Sequence, residues 1–201
     1  MDEKGSVKDT ILIRALELFS EKGYEGVPVS ELTEAAGITK PTLYYYFGSK
    51  EGVFEAVISP YYSRLNTIVA ENAAYYPNPK LYFKDVFKTL TMLTACYFSF
   101  ARENEAFYRI ALANLSMPCS SAVFKIVKKY HFEQFDIVNS MFRNMAKAHG
   151  NMKGKHKTLT WSFIGTINSY IGLYFSGSAG DDLNDKCVKE LVHQFMHGMY
   201  A

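Results

Sequence analysis

Apolar residues recur every three to four positions over most of the 201-residue chain, which is the spacing of one face of an α-helix. An alternating apolar and polar pattern, typical of a β-strand, never persists for more than a few residues. Glycine and proline divide the helical pattern into segments. The chain is therefore predicted to be all-α with about nine helices, near residues 6–21, a short stretch ending at 36, 39–47, 49–72, 81–102, 105–115, 120–148, 157–175 and 182–200.

The turn between the second and third predicted helices has the spacing of a helix-turn-helix. Gly37 suits the left-handed residue after the second helix, and Thr39 suits the N-cap of the third. Leu43 and Phe47 are predicted to face the core. Apart from Pro41, the other positions of the third helix carry side chains that can donate hydrogen bonds to DNA phosphates and base edges in the major groove. These predicted DNA contacts are Thr39, Lys40, Thr42, Tyr44, Tyr45 and Tyr46.

The distribution of charge supports an anion site at the same place. The formal net charge of +2 is too small to identify a nucleic-acid partner, because affinity for phosphate comes from clustered Lys and Arg. Residues 1–59 carry an excess of acidic side chains, yet residues 37–50 contain none. Both charges in that segment, Lys40 and Lys50, are positive, so an anionic partner is expected there.

About the first 58 residues contain a series of ordered motifs: LELF at 16–19, EKGY at 21–24, AAGITK at 35–40, TLYYYF at 42–47 and SKE at 49–51. Together these motifs resemble the N-terminal signature of the TetR family of bacterial regulators. The resemblance implies an all-α homodimer. Its N-terminal three-helix helix-turn-helix domain would occupy residues 1–48, and a C-terminal helical ligand-binding and dimerisation domain residues 49–201.

The resemblance also assigns roles near the third helix. It places Thr39, Lys40 and Thr42 at base or phosphate contacts, and several of the three tyrosines at the DNA backbone. Lys50 stands where the family commonly has a phosphate-binding lysine, beside a helix N-terminus that also favours an anion. Without the resemblance, the tyrosines could be ordinary surface and packing aromatics, and Lys50 a solvated surface lysine.

The sequence departs from the family at the helix ends. Pro28 stands where a Ser or Thr usually precedes the second helix, so Ser30 supplies a late cap or none exists. Gly48 and Gly52 flank residues 49–51, where helix-favouring residues are usual, and each glycine is expected to cost about 1 kcal/mol relative to alanine. These glycines predict a loosely built start of the fourth helix.

The last predicted helix carries an apolar stripe that an isolated chain would leave exposed, which predicts a homodimer. The resemblance implies that the last two helices of each subunit pair in a four-helix bundle. The residues assigned to this dimer interface are Trp161, Val188, Leu191, Val192, Phe195 and Met199.

Most aromatic residues and methionines lie beyond residue 59, where most are expected to be ordinary core. The resemblance implies that the central helices enclose an inducer pocket. Polar groups among the apolar ones could orient a small apolar or aromatic inducer of unknown identity, although each could equally be a structural polar group. The candidates are Cys96, Asn114, His131, Trp161 and Asn168.

The predicted function is a ligand-responsive transcription regulator, a repressor released from a palindromic operator in double-stranded DNA when the inducer binds; activation stays open. No catalytic residue, cofactor or metal is predicted, because the chain has no G-x-S-x-G, H-E-x-x-H or phosphate-loop motif. His193 and His197 have metal-like spacing, but two ligands rarely hold a metal, and a surface or interface role is expected. A structural helical module would explain the helices but not the tyrosine-rich turn.

The three cysteines lie far apart with no C-x-x-C spacing, which is typical of a protein in the reducing cytosol. The N-terminus has no apolar segment of the kind found in secretion signals, and the longest uncharged stretch, 89–101, is too short to cross a membrane. A cytoplasmic location without a membrane partner is therefore expected.

Overall fold

A computed structural model of the chain describes residues 6–78, 80–115, 117–177 and 182–198, and all secondary structure in these ranges is helical. This confirms the all-α prediction, and the described helices begin and end within a few residues of their predicted positions. Position 199 and the predicted end of the last helix at 200 lie outside the described residues. The helices are α1 (Val7–Lys22), α2 (Val29–Ala35), α3 (Lys40–Phe47), α4 (Lys50–Asn72), α5 (Tyr82–Glu103), α6 (Glu105–Asn114), α7 (Ala122–Ala148), α8 (His156–Phe175) and α9 (Asp185–His197), with a short 3-10 turn at Gly150–Met152.

Local hydrogen bonds explain several helix ends. Ser6 caps α1 in a capping box: its hydroxyl accepts from the Asp9 N–H at 3.2 Å, and the Asp9 carboxylate accepts from the Ser6 N–H at 3.0 Å. Asn184 caps α9 by accepting from two N–H groups of its first turn, each at 3.0 Å. Pro28 precedes α2 without a side-chain cap. The hydroxyl of Thr33 donates to the Ser30 carbonyl, within the same helix.

Contacts between residues divide the chain into two compact units. The first unit contains the chain up to Ser63 together with Asn104–Lys129, and the second contains Arg64–Glu103 and the chain from Tyr130 onward. Helices α4 and α7 each contribute residues to both units. The predicted functional division at residues 48 and 49 concerns DNA and ligand binding, and it stays a prediction.

The core of the first unit fixes the start of α4. In this unit α1 packs against α2 and α6, and α2 packs against α3. Phe19 of α1, Tyr24 and Phe54 of α4 form a buried aromatic cluster with ring centroids 5.1–5.7 Å apart. Aromatic pairs at this distance contribute beyond the area that they bury. The first two turns of α4 are therefore held against the end of α1.

The core of the second unit contains the apolar stripe of α9. Val188, Leu191 and Val192 are buried within the chain, and α9 packs mainly against α5. The Phe195 ring lies 5.1 Å from that of Phe163 and 6.1 Å from that of Phe142. The expectation that a single chain would leave this stripe exposed is therefore wrong, because the stripe closes the core of its own unit.

Two buried polar groups tie helices together inside the second unit. Between α4 and α7, the Asn66 amide donates to the Tyr130 carbonyl at 3.2 Å and to the Glu133 carboxylate at 2.9 Å, and it accepts from Gln134 at 3.3 Å. At the other end of α7, His149, Asp85 and Tyr75 form a triangle of polar atoms. The Tyr75 hydroxyl lies 2.6 Å from His149 Nε2 and 2.8 Å from Asp85 Oδ2, and the last two atoms lie 3.2 Å apart.

Among the described helices, none combines the length and the apolar composition that crossing a membrane requires.

Candidate nucleic-acid interface

The turn between α2 and α3 depends on a glycine. Gly37 has φ +64°, and its N–H donates to the Glu34 carbonyl at 3.1 Å. The next N–H, of Ile38, donates to the Thr33 carbonyl at 2.9 Å. A side chain in this left-handed conformation would cost about 1–2 kcal/mol, so glycine favours the tight turn. The turn sets the direction in which α3 leaves α2.

The N-terminus of α3 presents hydrogen-bond donors. Thr39 is the N-cap, and its hydroxyl oxygen lies 3.4 Å from the Thr42 N–H and 2.9 Å from the Thr42 hydroxyl. Because one proton serves the contact between the hydroxyls, the other hydroxyl proton can donate outward. Thr39 and Lys40 are exposed, and Thr42 is half-buried. An anion near this helix end would also be favoured by the helix dipole.

Three consecutive tyrosines of α3 are exposed, at 45% for Tyr44, 84% for Tyr45 and 42% for Tyr46, whereas Leu43 is fully buried. The Tyr45 and Tyr46 rings pack edge to face at 5.3 Å. Large aromatic side chains are seldom left this exposed without a binding partner. These tyrosines are therefore not core residues, and they offer a row of hydroxyl donors on an aromatic surface.

Lys50, at the start of α4, is held by an aromatic ring. Its ammonium lies 4.1 Å from the centroid of the buried Tyr24 ring. Partial burial lowers the pKa of Lys50, against the opposing influence of Glu25 and Glu51. Burial, followed by a hydrogen bond to Glu51, raises the pKa of the Tyr24 hydroxyl. The ring thus fixes a partly desolvated cation beside the N-terminus of α4, where Ser49 accepts from the Gly52 N–H at 3.1 Å.

The glycines around residues 49–51 have structural reasons, which corrects the expectation of a loose junction. Gly48 ends α3 with φ +73°, and its N–H donates to the Tyr44 carbonyl at 2.9 Å. A Cβ atom at Gly52 would lie 1.9 Å from the carbonyl oxygen of Phe47. Gly52 therefore permits a close approach of α4 to the end of α3, and alanine would not fit there without a backbone shift.

The residues predicted to bind ligand lie at several places. In the second unit, Cys96, His131 and Asn168 are half-buried, and the Trp161 side chain is 63% exposed with its ring packed on Phe135 at 4.5 Å. Burial raises the pKa of the Cys96 thiol to about 12, and burial lowers the pKa of His131. Asn114 is buried in the first unit.

The sequence did not single out Tyr24 as the support of Lys50, nor Thr94. The Thr94 hydroxyl and the Asn114 amide nitrogen are buried without a hydrogen-bond partner among the described residues. Such atoms cost stability unless a further group pairs with them. The sequence does not reveal which buried threonine hydroxyls lack a partner, because most threonines in helices donate to the carbonyl one turn earlier.

Two short helices joined by a glycine turn, with donors exposed along the second helix, define a helix-turn-helix DNA-binding protein. Comparisons with known proteins agree. Residues 11–57 match the model of the bacterial regulatory proteins of the tetR family. This match over the helix-turn-helix, together with the fold, supports a TetR-family transcriptional regulator.

Relatives and solved structures are consistent with this assignment. The chain is 27% identical over 144 residues to the biofilm operon negative transcriptional regulator IcaR of Staphylococcus aureus, covering 69% of this chain and 77% of IcaR. It is 44% identical over 57 residues to the transcriptional repressor ComR of Escherichia coli, covering 28% and 27% of the two chains.

The fold is shared with two solved regulators, the first of which is described as a fatty acid metabolism regulator. One is a putative regulator from Clostridium perfringens, with a TM-score of 0.76, 22% identity and coverage of 94% and 98%. The other is FadR from Bacillus subtilis in complex with stearoyl-CoA, with a TM-score of 0.75, 16% identity and coverage of 95% and 98%. At these identities the likeness concerns the fold alone.

Proposed function

We propose that this regulator is a homodimeric repressor that binds a palindromic operator through residues 39–50 and leaves it when a small apolar molecule binds the C-terminal part. The observation that carries the DNA contact is the row of exposed tyrosines beside Lys40 on α3. Thr39, Lys40 and Thr42 would contact bases or phosphates, and Tyr44, Tyr45 and Tyr46 the backbone. Lys50 would hold a phosphate from the side of α4.

Repression is supported by the relatives, since IcaR is a negative regulator and ComR a repressor. The TetR resemblance supports a two-fold dimer, which would require an operator with two related half-sites. The proposed location is the cytoplasm, because the regulator must reach its operator DNA there.

For the dimer interface we favour the exposed face of α8. Trp161 and Leu173 are exposed large apolar residues, and the exposed Ser162, Gly165 and Ser169 between them are small. No charged residue occurs from position 158 to 177. Small residues allow two helices to approach closely, and an uncharged exposed face loses little solvation when it is covered. Val188, Leu191 and Val192 would support this interface from the core, and Phe195 would border it.

For the ligand, the unpaired hydroxyl of Thr94 inside the second unit is a polar contact that an otherwise apolar molecule could satisfy. Cys96 lies in the same stretch of α5, and His131 and Asn168 are further candidates. The Bacillus subtilis FadR that shares this fold was solved in complex with stearoyl-CoA, so a fatty acyl-CoA is the first ligand class to test. Its long alkyl chain agrees with the apolar inducer that the sequence predicts.

The DNA part is tested by fluorescence anisotropy with the DNA upstream of the gene. Tyr45→Ala and Lys40→Ala should each weaken binding at least tenfold, a loss of about 1.4 kcal/mol. The matched control is Tyr76→Ala, because Tyr76 is 82% exposed but lies in the second unit. Equal losses for Tyr45→Ala and Tyr76→Ala would contradict the assigned surface.

The ligand part is tested by titrating stearoyl-CoA into the protein with and without operator. Reciprocity requires that a ligand which releases the operator binds less well when the operator is present. Thr94→Val keeps the shape of the side chain but removes its hydroxyl. It should leave the unliganded protein at least as stable and weaken ligand binding. Equal ligand affinities with and without operator would refute the release mechanism, even if DNA binding were established.

A further inference from the structure

One exposed face of α7 carries charges of opposite sign on the two sides of its midpoint. Its residues are spaced three to four positions apart, which places them in one stripe along the helix. The acidic residues lie before Ser140 and the basic residues after it. The stripe spans roughly 21 Å along the helix, at 1.5 Å per residue. Its members, all exposed, are Glu133, Asp136, Ser140, Arg143, Asn144 and Lys147.

The stripe borders an open groove with an apolar floor. Alanines near the end of α4, Ala70, Ala73 and Ala74, line one side, and Ile137 and Met141 of α7 line the other. The groove has a volume of about 650 Å³ and continues past Asn144 into a second hollow of about 460 Å³ beside Tyr75 and Lys147. Alanine side chains leave room for another helix to approach.

We propose that this α7 stripe binds the α7 stripe of a second copy of the chain, antiparallel and about a two-fold axis near Ser140. Residues equally far from Ser140 then face each other. Glu133 of one copy faces Lys147 of the other, and Asp136 faces Asn144 with Arg143 beside it. Each pair occurs twice, because a two-fold interface is isologous. The charge pattern is thus complementary to itself only in the antiparallel orientation.

The acidic half is also positioned in advance. One oxygen of the Glu133 carboxylate accepts from the Asn66 amide at 2.9 Å, which fixes the side chain to α4. Less conformational freedom is then lost when this carboxylate meets a cation. Glu133 and Asp136 would repel an anionic partner such as DNA or an anionic membrane, whereas a second copy supplies the matching lysine.

This α7 contact is separate from the α8 face in the proposed function. If both operate, dimers formed through α8 associate into tetramers through α7. Because the α7 contact relies on exposed ion pairs, it should be salt-sensitive, with the tetramer favoured at low ionic strength and lost at about 0.5 M salt.

The test is sedimentation velocity of the full chain over a range of concentrations at low ionic strength. Lys147→Glu places like charges opposite each other twice and should weaken the association of dimers about 30-fold, and Glu133→Lys should do the same. Lys84→Glu, an equal charge change at an exposed residue of α5, is the control and should have no effect.

Mixing the two variants gives the decisive result. In a mixed pair, the lysine at position 133 faces the glutamate at 147, and Lys147 of one variant faces Glu133 of the other. The mixture should therefore recover the wild-type association. Wild-type protein without the larger species at low salt, or a mixture that associates no better than its components, would overturn the proposal.

The α7 and α8 proposals fail separately. If the α8 dimer is wrong and the α7 contact is right, the charge variants convert a dimer to a monomer rather than a tetramer to a dimer. If only the α7 proposal is wrong, the variants leave the mass unchanged.

Discussion

Replacing Gly52 by alanine should destabilise the protein, although helix propensity alone predicts the opposite. In the first turn of a helix, alanine is better than glycine by about 1 kcal/mol. In this structure, however, a Cβ at position 52 would lie 1.9 Å from the Phe47 carbonyl oxygen. An ordinary carbon–oxygen contact is roughly 3.3 Å, so the backbone must move until the separation of the two atoms has increased by more than about 1 Å.

The displaced atoms belong to the turn that joins α3 to α4. Phe47 ends α3, its carbonyl accepts the Ser49 N–H at 2.8 Å, and Gly48 is already at φ +73°. Forcing additional atoms into a packed site typically costs about 1–3 kcal/mol. Because the clash is with backbone and needs more than about 1 Å of movement, the upper part of this range, about 2–3 kcal/mol, applies. After subtracting about 1 kcal/mol for the gain in helix propensity, Gly52→Ala should lower the free energy of unfolding by about 1–2 kcal/mol.

The assay is urea unfolding followed by circular dichroism, with Gly150→Ala as the control. A Cβ at Gly150 meets no atom within 4 Å, and the residue has no positive φ, so its replacement should change stability by less than about 0.5 kcal/mol. If Gly52→Ala were as stable as wild type or more stable, the close approach at Phe47 would be refuted. Operator affinity should also fall, because the shift moves Lys50 relative to α3.

Three further substitutions test other contacts. Lys50→Ala should weaken binding to all DNA sequences alike and reduce the slope of log K against log salt by about 0.9, the value for one phosphate; a changed sequence preference would contradict this role. Asp85→Asn should lower stability at pH 7 by about 2 kcal/mol. Burial alone would raise the pKa of Asp85, but hydrogen bonds from the Asn78 N–H, Tyr75, His149 and the Val86 N–H lower it overall. The stability that the carboxylate contributes is therefore present above an unfolded pKa of about 3.9 and lost as the pH falls through the lower folded value. If the free energy of unfolding of Asp85→Asn fell at low pH as steeply as that of the wild type, this role of the carboxylate would be contradicted. Pro60→Ala should stabilise α4 by about 1–3 kcal/mol by restoring a backbone donor inside the helix, and thermal unfolding that shows a loss would contradict this.

Features that depend on neighbours in the chain were predictable. The capping box of Ser6 and Asp9, the N-cap at Thr39 and the glycine turn at Gly37 each follow from residues within four positions of one another. Helix periodicity likewise placed Leu43 inside and the adjacent tyrosines outside. Such signals are short-range, so a single sequence contains them.

Contacts between separate segments were not predictable in the same way. The Lys50 ammonium packs over the Tyr24 ring, but the two residues belong to different segments and meet only when α1 packs against α4. The glycine at 52 looked like a weak helix position because propensity describes an isolated helix. The Phe47 carbonyl that requires this glycine becomes visible only when the turn is built.

The error at α9 has a cause that the sequence could have revealed. An amphipathic helix needs one apolar partner, and α9, with charged or polar residues on its other face, finds that partner in its own unit. Helix α8 differs, because positions 158–175 contain no charged residue on any face. A helix without a charged face requires covering on more than one side. One side of α8 is satisfied by Phe163, Ile167 and Ile171 in the core, and the opposite side leaves Trp161 exposed. The uncharged helix, rather than the most amphipathic one, is therefore where a second subunit is expected.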